Sequence, residues 1–289
     1  MHQPTLPSAS SVISATTPTA VSTAVSQRAI GVFDSGIGGL TVVRSLMERL
    51  PFENIVYFGD TARVPYGVKS VETIAHYTTQ IVEFLLAQNV KILIIACNTM
   101  AAVAAQTVRD ISPVPVLDVI DAGALAACAA TRTGQIGIIG TPTTVNSNAY
   151  ARAIHTVNRS ARIFSQACPL FVPLVEEGWL ENEVTRLTAE EYLRPVKAEN
   201  IDTLVLGCTH YPLIKPLLHS VMGEGVKLVD SAEAMAQRTA ELLAEHGWLN
   251  TQTCVPHYEY YVTDVPVKFQ TIGERFLGRS LSPVHVMKW

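Results

Sequence analysis

From residue 29 onward, apolar runs alternate with segments of helical periodicity. AIGVFD (29–34) stops at the polar, glycine-rich SGIGG, and LTVVRSLMERL (40–50) then repeats apolar residues at helical spacing. NIVYFGD (54–60) precedes a second helical pattern, SVETIAHYTTQIVEFLLAQN (70–89). VKILIIAC (90–97) is nearly continuous apolar chain followed by an alanine-rich helix reaching Arg109, and PVPVLDVI (113–120) reads as a fourth strand. Apolar strands separated by helices predict parallel sheets covered on both faces, an α/β fold.

The cadence then restarts. GQIGIIGT (134–141) reads like AIGVFDS, SARIFSQAC (160–168) like ENIVYFGDT, NIDTLVLGC (200–208) like NVKILIIAC, and VKLVDSAE (226–233) like VPVLDVID. Gly31 to Tyr57 and Gly137 to Ile163 are both 26 residues; Cys97 to Asp118 is 21 and Cys208 to Asp230 is 22. Matching order and spacing predict two pseudo-equivalent parallel-sheet α/β domains facing across a cleft. The expected boundaries are a first domain at 29–122 and a second at 123–230. The last strand is expected near Asp230, with 231–289 returning to pack on the first domain and HYEYYVTD an edge or interdomain stretch.

Cys97 and Cys208 fall at the same place in both halves, each closing a strand and followed by polar residues, CNT and CTH. Ligands of open α/β sheets sit beyond the carboxyl ends of the strands. If the next residues open a helix, its free N–H groups favour an anion and lower a thiol pKa from about 8.5. Two thiols on opposite walls can remove a proton from one face of a carbon and return one to the other, which is acid–base catalysis by groups of similar basicity. The alternative reading of each is a buried small hydrophobe. That alternative suffices for Cys128, Cys168 and Cys254, which are not followed at a strand end by polar residues like those of CNT and CTH.

Composition narrows the partners. There are 21 Lys+Arg against 25 Asp+Glu and no strongly basic stretch, so no nucleic-acid footprint is expected. Five cysteines without a CxxC or disulfide framework read as reduced thiols, and no apolar run reaches the roughly 20 residues that span a bilayer. No histidine falls in an HExxH or similar grouping, so no metal is expected. Residues 1–27 have no Lys, Arg, Asp or Glu and no signal-peptide pattern; they are expected to be a disordered leader on a cytoplasmic protein. DSGIGG is not GxGxxG, and Gly36, Gly38 and Gly39 are better explained by tight turns and close backbone approach.

DSGIGGLTV (34–42), GDTARVPYG (59–67), ACNT (96–99), GCTHYPL (207–213) and LVDS (228–231) together resemble the bacterial glutamate racemases. These belong to the cofactor-independent aspartate/glutamate racemase family and make D-glutamate for peptidoglycan. The resemblance implies that Cys97 and Cys208 are the catalytic thiols, with supporting roles for Asp34, His210 and Glu176. It implies that Asp34, Ser35, Tyr66, Gly67, Asn98, Thr99, Thr209 and His210 contact or orient the amino acid, and that no cofactor is needed. Glu177 beside Glu176 leaves that assignment open. A homodimer is expected, and some relatives with an N-terminal extension respond to the cell-wall precursor UDP-N-acetylmuramoyl-L-alanine. Aspartate or hydantoin racemases remain the near alternative. A two-lobed amino-acid-binding protein is the alternative from another class, but it needs no paired thiols.

Overall fold

The computed structural model describes residues 25–252, 255–265 and 269–289. Residues 1–24 of the expected leader and Cys254 lie outside the described residues. Val25–Gln27, at the end of that leader, are packed: the Ser26 carbonyl accepts from buried Lys91 Nζ (2.7 Å) and the Gln27 carbonyl from Asn54 Nδ2 (2.9 Å). The described structure thus includes the last three residues of the expected leader.

The first half follows the predicted alternation. β1 (Ile30–Asp34) and β2 (Ile55–Gly59) are buried at every position, and β3 (Ile92–Ile95) likewise, as strands covered on both faces must be. Between them run α1 (Leu40–Arg49) and α2 (Val71–Ala87), the latter started by the Ser70 hydroxyl accepting from Thr73 N–H. α3 (Asn98–Ile111) leads to β4 (Val116–Asp118). That strand is shorter than predicted, because the Asp118 side chain accepts from Ile120 and Asp121 N–H and starts α4 (Val119–Ala130).

The second half repeats the plan. It comprises β5 (Gln135–Gly140), α5 (Pro142–Asn146), α6 (Ala149–Val157), β6 (Arg162–Ala167), α7 (Phe171–Glu176), α8 (Glu183–Ala198), β7 (Thr203–Gly207), α9 (Lys215–Met222) and β8 (Lys227–Asp230). Its sheet runs β6-β5-β7-β8, and the first sheet contains the same order, β2-β1-β3-β4, with all neighbours parallel. The order agrees strand for strand with the repeat read from spacing.

Asp230 does not end the last strand. After α10 (Ser231–Glu245), which packs on α1 and α4, the chain adds β9 (Tyr258–Val262), α11 (Phe269–Leu277) and β10 (Val284–Val286). β9 pairs in parallel with β2, and β10 with β9, so the first sheet has six strands in the order β10-β9-β2-β1-β3-β4. HYEYYVTD is thus an interior strand rather than an edge; Tyr260 and Val262 point into the core while the alternate residues are half-exposed. Among the described residues no helix is long and apolar enough to cross a membrane.

Candidate active site

Each sheet delivers one cysteine to the same cavity. Cys97 stands two residues beyond β3 and immediately before α3; Cys208 follows β7 directly. The cavity, about 480 Å³, is lined by Ser35, Tyr66, Gly67, Cys97, Asn98 and Thr99 from the first half and by Glu176, Cys208, Thr209 and His210 from the second. Its size suits a small ligand. Both thiols are almost fully buried.

Close approach of the halves depends on glycine. A Cβ on Gly38 would lie 2.2 Å from Thr209 Oγ1 and 2.7 Å from the His210 ring; within the first half, a Cβ on Gly59 would lie 2.2 Å from the Gly36 carbonyl oxygen. The seam is also bonded: the Thr41 hydroxyl shares its proton between the Gly38 carbonyl at 2.9 Å and, across the seam, the Thr209 carbonyl at 3.1 Å.

The two thiols have different company. Cys97 Sγ donates to Ser35 Oγ at 3.3 Å. Its pKa is not lowered by the helix that follows, as position alone predicts; burial, then the Asp34 charge, push it up to about 12. Cys208 is followed by a short 3₁₀ turn (Tyr211–Ile214) instead of an immediate α-helix. Its sulfur lies 3.9 Å from His210 Nδ1, and His210 Nε2 donates to Glu176 Oε1 at 2.9 Å. That bond distinguishes Glu176 from its neighbour Glu177. Burial alone would lower the His210 pKa, but hydrogen bonds to Cys208 and Glu176 outweigh it and hold the imidazole at about 10.

Asp34 is not on the cavity surface. It is 1% exposed, its Oδ2 accepts from Gly36 N–H at 3.0 Å, and Oδ1 has no hydrogen-bond partner among the described residues. Burial raises its pKa, opposed by the nearby His210 charge. It can act on the thiol side of the wall, on Cys97, more readily than on a ligand.

Tyr66 is set by a hub beneath it. Its hydroxyl donates to Asp60, which also receives bonds from Arg63 Nε (3.0 Å) and Thr263 Oγ1 (2.8 Å). The Arg63 guanidinium lies 4.1 Å from the Tyr77 ring centroid and 5.1 Å from that of Trp289. The Gly67 carbonyl accepts from Thr143 Oγ1 at 2.7 Å.

The Asp/Glu/Hydantoin racemase model matches residues 30–239, most of this chain. The chain belongs to that family. Among its relatives, the glutamate racemase of Syntrophus aciditrophicus is 72% identical over 255 residues, covering 88% of this chain and 94% of the relative. That of Neisseria meningitidis is 63% identical over 262 residues, covering 90% and 97%. Among solved structures, Francisella tularensis glutamate racemase in complex with D-glutamate superposes with a TM-score of 0.86 at 45% identity, covering 91% of this chain and 98% of that one. Escherichia coli glutamate racemase, in complex with L-glutamate and the activator UDP-MurNAc-ala, gives 0.73 at 27% identity, covering 90% and 98%. The chain is thus a racemase, an isomerase.

Within this racemase, several cavity residues have no counterpart among the sequence expectations. Thr141 follows β5 as Ser35 follows β1, and its hydroxyl shares hydrogen bonds with those of Thr99 and Thr144, each at 3.0 Å. The likeness of GIIGT to VFDS carried that signal. Phe269 and Ile272 reach the wall from α11, and Val172 and Pro173 from α7. Nothing in their spacing marks them. Among the described residues, no cluster of three or more His, Cys, Asp or Glu side chains is arranged to hold a metal ion.

Proposed function

We propose that this racemase interconverts L- and D-glutamate by moving the α-proton between Cys97 and Cys208. The observation that carries the reading is that both thiols, from equivalent strand ends of two sheets, line one cavity with neutral donors between them. The thiolate of one takes the proton from Cα on its face, and the thiol of the other gives its proton to the opposite face. The reverse reaction exchanges the roles. Cys97 is the base for the D-enantiomer and Cys208 for the L-enantiomer, following the resemblance to glutamate racemases. Asp34, with an unpaired oxygen beside Cys97, accepts that thiol's proton when Cys97 must act as base. His210, held by Glu176 and kept protonated, stabilises the Cys208 thiolate from its Nδ1 side. Ser35, Asn98, Thr99 and Thr209 hold the substrate without adding a charge that would favour one thiol. Tyr66 and Gly67 close the loop side.

The glutamate assignment is supported by the relatives' names and by the D-glutamate complex of the Francisella enzyme. The wider setting we propose is cytoplasmic, as a homodimer, with D-glutamate supplied to peptidoglycan. The test is exchange of the glutamate α-hydrogen with solvent deuterium, without added cofactor, from either enantiomer toward an equal mixture. Cys97→Ser and Cys208→Ser should each reduce racemisation by at least about 10²-fold, the range of lost acid–base catalysis. Near-normal rates in either single mutant would refute the two-thiol mechanism, whereas exchange of aspartate alone would refute only the substrate.

A further inference from the structure

Tyr150, on α6 of the second half, is 3% exposed, and its hydroxyl reaches across the seam to donate to Asn98 Oδ1 at 2.7 Å. Asn98 is the residue after Cys97 and stands on the cavity wall. Its Nδ2 is buried and has no hydrogen-bond partner among the described residues. Buried polar groups are nearly always paired, so an unpaired amide nitrogen on a cavity wall points to a ligand.

The orientation of that amide is not free. A carboxamide offers an acceptor at one end and two donors at the other. Were it turned over, its NH₂ would face the Tyr150 hydroxyl, which would then give up its shortest bond and pass its own proton to the Val119 carbonyl, 3.5 Å away, or to the neighbouring Ser231 hydroxyl. The short bond to Oδ1 is the better arrangement, and it leaves the NH₂ for the cavity. Burial also raises the Tyr150 pKa, so the phenol remains a donor at working pH. Two glycines keep the ring in place. A Cβ on Gly123 would come within 3.1 Å of the Tyr150 hydroxyl, and one on Gly207 within 3.1 Å of its Cε2. The glycine before Cys208, where alanine precedes Cys97, thus makes room for a side chain that serves the opposite wall.

We propose that Tyr150 is a positioning residue of the racemase site, locking Asn98 across the seam so that its N–H groups bind a carboxylate oxygen of the substrate. A carboxylate fits because the lock presents donors only and an amino group has no lone pair to offer once charged. The inference rests on the reading that an acidic amino acid occupies this cavity, and assembly of the halves then completes a binding group that neither half holds alone.

Tyr150→Phe keeps the ring and removes only the hydroxyl. Steady-state kinetics should show KM raised about tenfold with kcat changed less than about threefold, since one ground-state hydrogen bond is weakened. In an Asn98→Ala background the same substitution should alter kcat/KM by less than about twofold, because its partner is already gone. A full effect of Tyr150→Phe in the Asn98→Ala background, or an unchanged KM in the parent, would overturn the proposal and make Tyr150 a packing residue only. Asn98→Asp supplies a check independent of Tyr150 substitution: it keeps the acceptor for the phenol but replaces the NH₂ with oxygen. It should lose substrate affinity; retained affinity would count against the amide donor. All variants are assayed on whichever acidic amino acid the parent racemises, so failure of the glutamate assignment leaves this test intact.

Discussion

A side chain's titration follows its solvent more closely than its sequence neighbours, and the cavity shows this at Cys97 and His210. Cys97 has the helix-start position that ordinarily favours a thiolate, yet burial and Asp34 keep it protonated at rest, with its pKa near 12. His210 moves the other way. A histidine titrates near 6.5 when unfolded, and in the folded protein it is held at about 10. Its raised value stabilises the fold fully below pH 6.5, and that contribution is lost as pH rises through about 10. Urea midpoints of the parent and of His210→Asn should therefore differ most near pH 6 and converge toward pH 10. A gap that widens with pH would reverse the sign and remove the imidazolium from the account. Cys97, Asn98, Thr99, Cys208 and Thr209 were legible in the sequence because each sits where an apolar strand stops, a place that periodicity locates well. Thr141 was hidden by blandness: a threonine after a glycine carries no chemical signature, and only its place in the repeat connects it to Ser35.

Among elements, the strand alternation was readable because parallel strands buried on both faces need continuous apolar runs. β9 and its duties were not, since its aromatic, half-exposed pattern fits several settings and its partner β2 lies about two hundred residues earlier. Yet the turn after β9 fixes the loop that carries Tyr66. Thr263 Oγ1 donates to Asp60 and accepts from Ala62 N–H at 2.9 Å, and the Asp264 N–H donates to Thr61 Oγ1 at 2.9 Å. Thr263→Val removes the first two of these bonds while nearly conserving shape. It should lower stability by about 1–3 kcal/mol, because the Ala62 N–H and Asp60 lose a partner. KM for glutamate should rise more than kcat falls if the loop, which lines the cavity, serves binding as proposed. Chemical denaturation and steady-state kinetics check the two parts; an unchanged KM would detach β9 from the site.

Across the whole molecule, Lys91 gathers the N-terminal end of the described chain and the segment after α10 at the start of β3, away from the thiols. Its buried ammonium donates to the Ser26 and Trp248 carbonyls and pairs with Glu53, which accepts from Asn250 N–H at 2.8 Å. A chain starting at Val25 keeps the Ser26 carbonyl and should match full-length protein in stability and in kcat/KM, with or without UDP-N-acetylmuramoyl-L-alanine. One starting at Arg28 should melt lower, because a buried ammonium loses an acceptor. Loss of a precursor response in the Val25 chain alone would assign that response to residues 1–24. The return of the chain to its first sheet also has a consequence for synthesis. β1 to β4 emerge from the ribosome with the β2 edge unpaired, and its partner β9 begins only at Tyr258, after the entire second sheet. At typical translation rates of about 5–20 residues per second, that interval lasts on the order of ten to thirty seconds. An open parallel edge of that kind pairs readily with other nascent chains. The strand that steadies Tyr66 in the finished enzyme is thus also the late-arriving cover of an exposed edge, and the length of the wait is set by the order of the elements along the chain.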